Sequence, residues 1–381
     1  MPECTLRASL QENNANDNGA AVVDTIDFDI PGSGVRPISP MGALPEITEP
    51  VTIDGYTQPG AMENTKAVGT NAVLRIELDG TFVSSGSGLD INASNSAIRG
   101  LVINRFGDHG IQIDRCITDG HKIEGNFIGT DPGGTQNLGN DGNGVVACSG
   151  STTVGGTSPA ARNLISGNGV SGVIIGGPGS VVRGNLIGTT KDGTTPLGNR
   201  DDGVRIVGPS STVAGNTIAF NILGAGVKVV EIGEGTRANS ILSNSIFSNG
   251  ELGIDLDGNG VTANDAGDAD TGTNDLQNYP VITRATTSRS TGRSVVRGTL
   301  NSAPTTTFTI QLLTNPAQDP SGFGEGQRLV RTLSVRTDAS GNASFGLKAR
   351  KFRGFISATA TNDATGDTSE FSKAKKVIRT R

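Results

Sequence analysis

A short phrase recurs along this chain: a glycine, an apolar residue, a variable one and another apolar one. It stands at Gly88-Leu89-Asp90-Ile91, Gly110-Ile111-Gln112-Ile113, Gly144-Val145-Val146-Ala147 and Gly172-Val173-Ile174-Ile175. It returns at Gly203-Val204-Arg205-Ile206, Gly226-Val227-Lys228-Val229 and Gly253-Ile254-Asp255-Leu256. The steps are 22, 34, 28, 31, 23 and 27 residues. Repetition at roughly 20–50 residues marks a solenoid or a propeller. Within each phrase the period is two, which is a strand with its first and third residues inward and the middle one outward.

A second set of short apolar strands follows the first. Ile98-Arg99-Gly100-Leu101, Ile123-Glu124-Gly125-Asn126, Val182-Arg183-Gly184-Asn185 and Val213-Ala214-Gly215-Asn216 each bend at a glycine. Strands that recur in one order, without intervening helices or hairpins, suit a coil whose turns pair in parallel with the turn above: a parallel β-helix. Asn126, Asn185 and Asn216 occupy equivalent places after glycine, where stacked side-chain amides would tie the bends together. Two excursions, 125–140 and 184–199, match at an offset of 59 residues and are expected to protrude on one side, where they could wall a groove.

A coil of strands has open ends with unpaired edges. Residues Thr5 to Asn14 read as a helical plug for the first turn, with Leu6 and Leu10 on one face and Thr5 as its N-cap. Residues 277–381 read differently: alternating runs such as Phe308-Thr309-Ile310-Gln311-Leu312 and Phe355-Ile356-Ser357-Ala358 predict a small antiparallel β-sandwich of immunoglobulin-like type. The expected class is thus all-β: a parallel β-helix over 1–276 with an N-terminal helical cap, then a sandwich over 277–381. Charge follows the same division. Residues 1–276 carry 15 Lys+Arg against 31 Asp+Glu, and residues 277–381 carry 16 against 6. The basic part either holds an anionic partner or faces the acidic part. Aromatic residues are not interleaved with the cations, which argues against nucleic acid.

These residues resemble a family of secreted bacterial right-handed parallel β-helix repeat proteins of pectate-lyase-like architecture with a C-terminal sandwich. The resemblance rests on Cys4-Thr5-Leu6-Arg7-Ala8, Ile53-Asp54-Gly55-Tyr56-Thr57-Gln58-Pro59-Gly60, Asn126-Phe127-Ile128-Gly129-Thr130 and Asn163-Leu164-Ile165-Ser166-Gly167-Asn168. Asn278-Tyr279-Pro280 and Thr368-Ser369-Glu370-Phe371-Ser372 extend it over nearly the whole chain. It implies right-handedness and architecture, and it carries no catalytic motif onto this chain. Proteins of this fold include lyases, epimerases, glycosidases and plain surface proteins.

The candidate chemistry lies in the outward column Asp90, Gln112, Val146, Ile174, Arg205, Lys228, Asp255. Its last three members would set a guanidinium, an ammonium and a carboxylate on consecutive turns. A cation there would neutralise a uronate while Lys or Arg takes the α-proton. Asp201 and Asp202 precede Arg205 and could add a carboxylate. The plainer reading is a solvated charge ladder. Asp108 and His109, at a bend, are a second acid–base candidate.

The candidate metal site is the Asp-rich loop. Asp255, Asp257 and Asn259 fall at the first, third and fifth places of a calcium-type loop, followed by Asp265, Asp268 and Asp270. Ca²⁺ would act there as a structural clip; the alternative is an acidic connecting turn. Three cysteines make no disulfide framework: Cys116 and Cys148 either bridge neighbouring turns or stay small buried or free thiols, and Cys4 is expected under the cap.

The chain has no basic, apolar leader and no membrane-length apolar run. Its Gly/Asn/Thr-rich repeats favour a secreted or cell-surface protein whose signal peptide has been removed over a cytoplasmic one. Two functions follow. One is an extracellular carbohydrate-active protein acting on or binding a polysaccharide, an anionic one suiting the absence of Trp and the two Tyr. The other is a non-catalytic surface or adhesion module with the β-helix as a rigid spacer. No membrane insertion is expected.

Overall fold

The computed structural model describes residues 5–16, 23–113, 118–232 and 235–381. The chain divides into two compact units, Met1–Val204 with Phe220–Ile222, and Arg205–Ala219 with Leu223–Arg381. Cys4 and Cys116 lie outside the described residues, and with them the expected bridge to the half-buried Cys148.

The first unit is a coil of short strands stacked into three parallel sheets. One holds Asp24–Asp27, Val51–Asp54, Ala97–Arg99, Lys122–Glu124, Thr153–Gly155 and Val181–Arg183. A second holds Arg36–Ile38, Ile76–Asp79, Leu101–Asn104, Phe127–Ile128, Leu164–Ile165 and Leu186–Ile187. The third is the glycine-led column Leu89–Ile91, Ile111–Ile113, Val145–Ala147 and Val173–Ile175. Its register stacks Leu89 on Ile111, Val145 and Val173, all buried. The leading glycine is required by space: a Cβ on Gly144 would stand 2.6 Å from the Gly172 carbonyl and 2.5 Å from Ile165. This is the expected parallel β-helix.

Amide ladders hold the bends. Asn126 donates to Asn163 at 3.2 Å and Asn163 to Asn185 at 2.9 Å. A second ladder runs Asn140, Asn168, Asn199, Asn221 at 2.9–3.1 Å. Each of these asparagines is buried, so every satisfied amide offsets a desolvation cost.

The matching excursions close with like bridges, Thr130–Asn137 and Thr189–Pro196. They stack on each other through Lys191 N–H to the Gly134 carbonyl, and Thr70 N–H bonds in turn to the Lys191 carbonyl. Beneath them Leu74, Val102, Phe127, Leu164 and Leu186 form a second apolar cluster on the outside of the second sheet. The excursions therefore cover an apolar column.

The N-terminal helix Leu6–Ala15 caps this unit. Thr5 Oγ1 accepts the Ala8 N–H, and Leu6 and Leu10 are buried. Its last turn pairs with the chain edge: Asn14 Oδ1 accepts the Thr48 N–H at 2.9 Å, and Asn13 donates to the Glu49 carbonyl. The exposed edge is thereby filled by side chains.

In the second unit the strands Thr212–Ala214 and Ser240–Leu242, Thr217–Ala219 and Ser245–Phe247, and Val227–Val229 and Ile254–Leu256 pair in parallel. Beyond them, residues 281–380 form two four-stranded sheets. Both contribute to one buried cluster that includes Val296, Leu300, Phe308, Ile310, Phe345 and Ile356. Pairing is antiparallel except between Val281–Ser288 and Ile378–Thr380.

These sheets meet the last turns of the coil with polar side chains aimed at strand-edge amides. Thr368 Oγ1 accepts from Ile241 N–H at 3.0 Å, and Gln311 Oε1 accepts from Ser243 N–H at 2.9 Å. Glu325 takes Ser248 and Asn249 N–H, and Glu370 takes Leu256 and Thr262 N–H. The C-terminal segment thus caps the strand edges of this unit.

Candidate active site and candidate metal centre

The glycine-led column reaches its charged members in the second unit. Lys228 and Asp255 are directly paired in register. The bond from Val230 N–H to the Ile206 carbonyl repeats the one from Asp257 N–H to the Val229 carbonyl, which sets Arg205 beside Lys228 one turn earlier. Alternation makes all three outward residues, yet Asp255 is only 2% exposed while Arg205 is half-buried. The loop after Asp255 folds back onto it through Gly260. Lys228 Nζ lies 2.8 Å from Glu251 Oε2 and 4.0 Å from Asp255 Oδ2. Asp255 Oδ1 accepts the Gly260 N–H at 3.3 Å.

Asp255 and Glu251 form part of the wall of a cavity of about 480 Å³, with Asn249, Asn259, Asp319 and Ser321. The cavity is rich in carboxylates and amides and holds no aromatic ring. Behind Asp255 stands Glu370, also 2% exposed. Burial pushes its carboxyl up to about 8 against the pull of its two backbone hydrogen bonds, and the charges of Asp255 and Asp257 push the same way. Glu251, Asp319 and Glu370 are the functional candidates that sequence reasoning missed. Glu251 lies four residues before Asp255 and was within reach of a charge-pattern reading; Glu370 and Asp319 arrive from distant segments.

Asp201 and Asp202 lie in the first unit. Asp202 is fully buried and its carbonyl accepts the Gly172 N–H, while Asp201 is half-buried. Asp108 and His109 also lie there. Their side chains approach to 3.1 Å at His109 Nδ1, and the same nitrogen accepts the Asn143 backbone N–H at 3.0 Å. The ring thus ties two turns together.

The Asp-rich loop separates into two groups. Asp257 exchanges hydrogen bonds with Thr273, accepting its N–H and donating its own to Thr273 Oγ1. Asn259 is exposed on the cavity wall. Asp265, Asp268 and Asp270 instead converge, each offering a carboxylate oxygen within 4.8 Å of the others. Asp268 accepts from Asn278 N–H, Gln277 and Ser302. Burial first, then the Asp270 and Asp265 charges, push it up to about 6. Asp270 is raised by burial and by the Asp265 and Asp275 charges, and its Oδ1 is buried without a hydrogen-bond partner. Hard oxygen donors and mutual repulsion fit a hard cation such as Ca²⁺.

No known protein family profile matches the chain, and no curated protein matches it. Among solved structures it is similar to the Azotobacter vinelandii mannuronan C-5 epimerase AlgE4 A-module, at 18% identity over 57% of this chain and a TM-score of 0.24. The match spans 64% of that module, less than two thirds of its length. Among the described residues no helix is long and apolar enough to cross a membrane.

Proposed function

We propose that this is a secreted or cell-surface protein that acts on an anionic polysaccharide at the cavity beside Asp255. One observation carries the reading: the ammonium of Lys228 lies 2.8 Å from Glu251 and 4.0 Å from the buried Asp255, and both carboxylates line a cavity. A buried carboxylate with a specific charge partner at a cavity wall is the arrangement by which functional sites tune their ionisable groups. Lys228, held between two carboxylates, supplies positive charge to a uronate-like group. Arg205 or a wall carboxylate takes or gives the proton. A lyase would remove the proton α to the uronate carboxyl and expel the glycosidic oxygen, leaving a double bond. A hydrolase would add water instead.

Polygalacturonate, alginate and chondroitin sulfate, with absorbance at 235 nm for the unsaturated product and a reducing-end assay for hydrolysis, test both. Product lost in Asp255→Asn and Lys228→Ala supports the reading; no product from any polymer, by either readout, contradicts it.

In the same proposal Ca²⁺ binds Asp265, Asp268 and Asp270 as a structural clip where the repeats of 1–276 give way to the 277–381 domain. A non-catalytic surface module is the second reading. It is favoured by the outward residues Gln112, Val146 and Ile174, which bring no catalytic group to the column.

A further inference from the structure

The geometry points to a separate polyanion-binding surface on the C-terminal domain, and we propose that its ligand is an anionic polysaccharide. In the strand Arg293–Asn301 the even positions Ser294, Val296, Gly298 and Leu300 are buried, so Arg293, Val295, Arg297 and Thr299 face outward. Arg297 lies directly opposite Arg284, Val295 opposite Lys348, and Arg293 opposite Arg350. All five cations are exposed. The other outward residues, such as Thr286, Thr299 and Ser344, are uncharged. Among the described residues none of the five cations has a carboxylate within ion-pair distance.

Two of the cross-strand pairs, Arg284 with Arg297 and Arg293 with Arg350, therefore set like charges face to face. Such pairs destabilise a sheet unless something outside compensates them. A second basic site lies past the strand end. Ser294 Oγ accepts the Phe352 N–H at 2.7 Å, which pins the segment carrying Lys351 and Arg353 against the Arg293 strand. Lys351, Arg353 and Arg328 supply the charged lining of a pocket of about 460 Å³ that has no carboxylate in its wall. The outward face with its five cations is the basic tract; the pocket is a separate basic site.

The tract favours a polysaccharide over other polyanions. It is a flat sheet face, unable to enter a nucleic-acid groove as a helix or two-stranded ribbon does. It presents no outward aromatic ring for base stacking. Four of the five face cations are arginines, whose planar fork matches carboxylate and sulfate groups in pairs. The tract shares no residue with the Asp255 cavity, so binding here does not depend on catalysis there.

The test is titration of the full chain with heparin and with polygalacturonate by calorimetry at 50 and 150 mM NaCl. The triple variant Arg293→Glu, Lys348→Glu, Arg350→Glu is expected to weaken binding at least tenfold and to flatten its salt dependence. The control triple Lys373→Glu, Lys375→Glu, Lys376→Glu, with the same change in net charge, should stay within twofold. Binding is read whether or not any polymer is turned over, which separates this surface from the cavity. The milder Arg293→Ser, Arg350→Ser variant removes one like-charge pair and should melt no lower than wild type while also binding less tightly. Failure of the wild type to bind either probe, equal losses in both triples, or equal affinity for duplex DNA or phosphatidylserine vesicles would each overturn the proposal.

Discussion

Glu325 accepts the backbone N–H of Asn249 at 3.0 Å, as each asparagine in the Asn140–Asn221 ladder accepts from the turn before it. The carboxylate also takes the Ser248 N–H at 2.6 Å and the Asn249 side-chain amide at 3.3 Å. A residue of the antiparallel domain thereby completes the bend of the last turn, and burial raises its carboxyl above the ordinary range.

Removing that acceptor leaves buried donors unmatched. Glu325→Ala should destabilise the chain by about 3 kcal/mol, from roughly 1–3 kcal/mol per orphaned group. Glu325→Gln, which keeps one acceptor oxygen, should cost about 1 kcal/mol. Urea denaturation followed by circular dichroism gives both values, and equal midpoints for the two variants would contradict the capping role.

The ladder itself should behave in the same way. Asn163 donates to the Ile123 carbonyl and to Asn185, and accepts from the backbone and side chain of Asn126. Asn163→Ala should cost about 2–4 kcal/mol by denaturant titration, the range for breaking a buried polar network. Asn71→Ala, in an exposed loop, should cost much less.

Much of this was legible in the sequence because each turn repeats the same local problem. The inward Leu, Ile and Val, the leading glycine and the Asn after the bend report on neighbours one turn away, and they recur. The helical cap was legible from Leu6, Leu10 and Thr5 for a similar reason: its signals lie within one helix. What lay hidden depends on distant chain. Asp255 reads as outward by alternation yet is 2% exposed, and the charge of Glu370, more than a hundred residues later in the chain, acts beside it. The outward apolar column Phe127, Leu164 and Leu186 reads as core or as surface until the stacked excursions are seen to cover it. Asp265, Asp268 and Asp270 converge while Asp257 turns to Thr273, a choice made by backbone bends that spacing does not encode.

His121 should give the protein an acid-sensitive stability. Its ring is fully buried, with Nε2 3.2 Å from Thr118 Oγ1 and no partner at Nδ1. Burial lowers it from 6.5 to about 4, partly opposed by the Asp119 charge. The unfolded chain therefore binds a proton that the folded chain refuses between those values, and stability falls as pH drops from 6.5 to about 4. The loss attributable to this ring is about 3 kcal/mol. Denaturation midpoints across that window should slope in the wild type and lose this contribution in His121→Leu.

The aspartate cluster should respond to calcium and pH together. Asp268 is raised to about 6, so without a cation its stability contribution is largest while protonated and is lost as pH rises from about 4 through 6. Ca²⁺ binds the ionised form and should raise the melting temperature most above pH 6, with EDTA reversing the shift. Asp270→Asn should remove the calcium response. An unchanged melting curve at millimolar Ca²⁺ at pH 7.5 would exclude the site.

The most direct test of the functional account is turnover of a defined polyuronate by the wild type and by Asp255→Asn, followed at 235 nm and by reducing ends, with melting curves to confirm folding. The account predicts product from the wild type and a rate about a hundredfold lower, or less, in the variant, the scale of a lost acid–base group. A folded Asp255→Asn protein that turns over the polymer as fast as the wild type would contradict it.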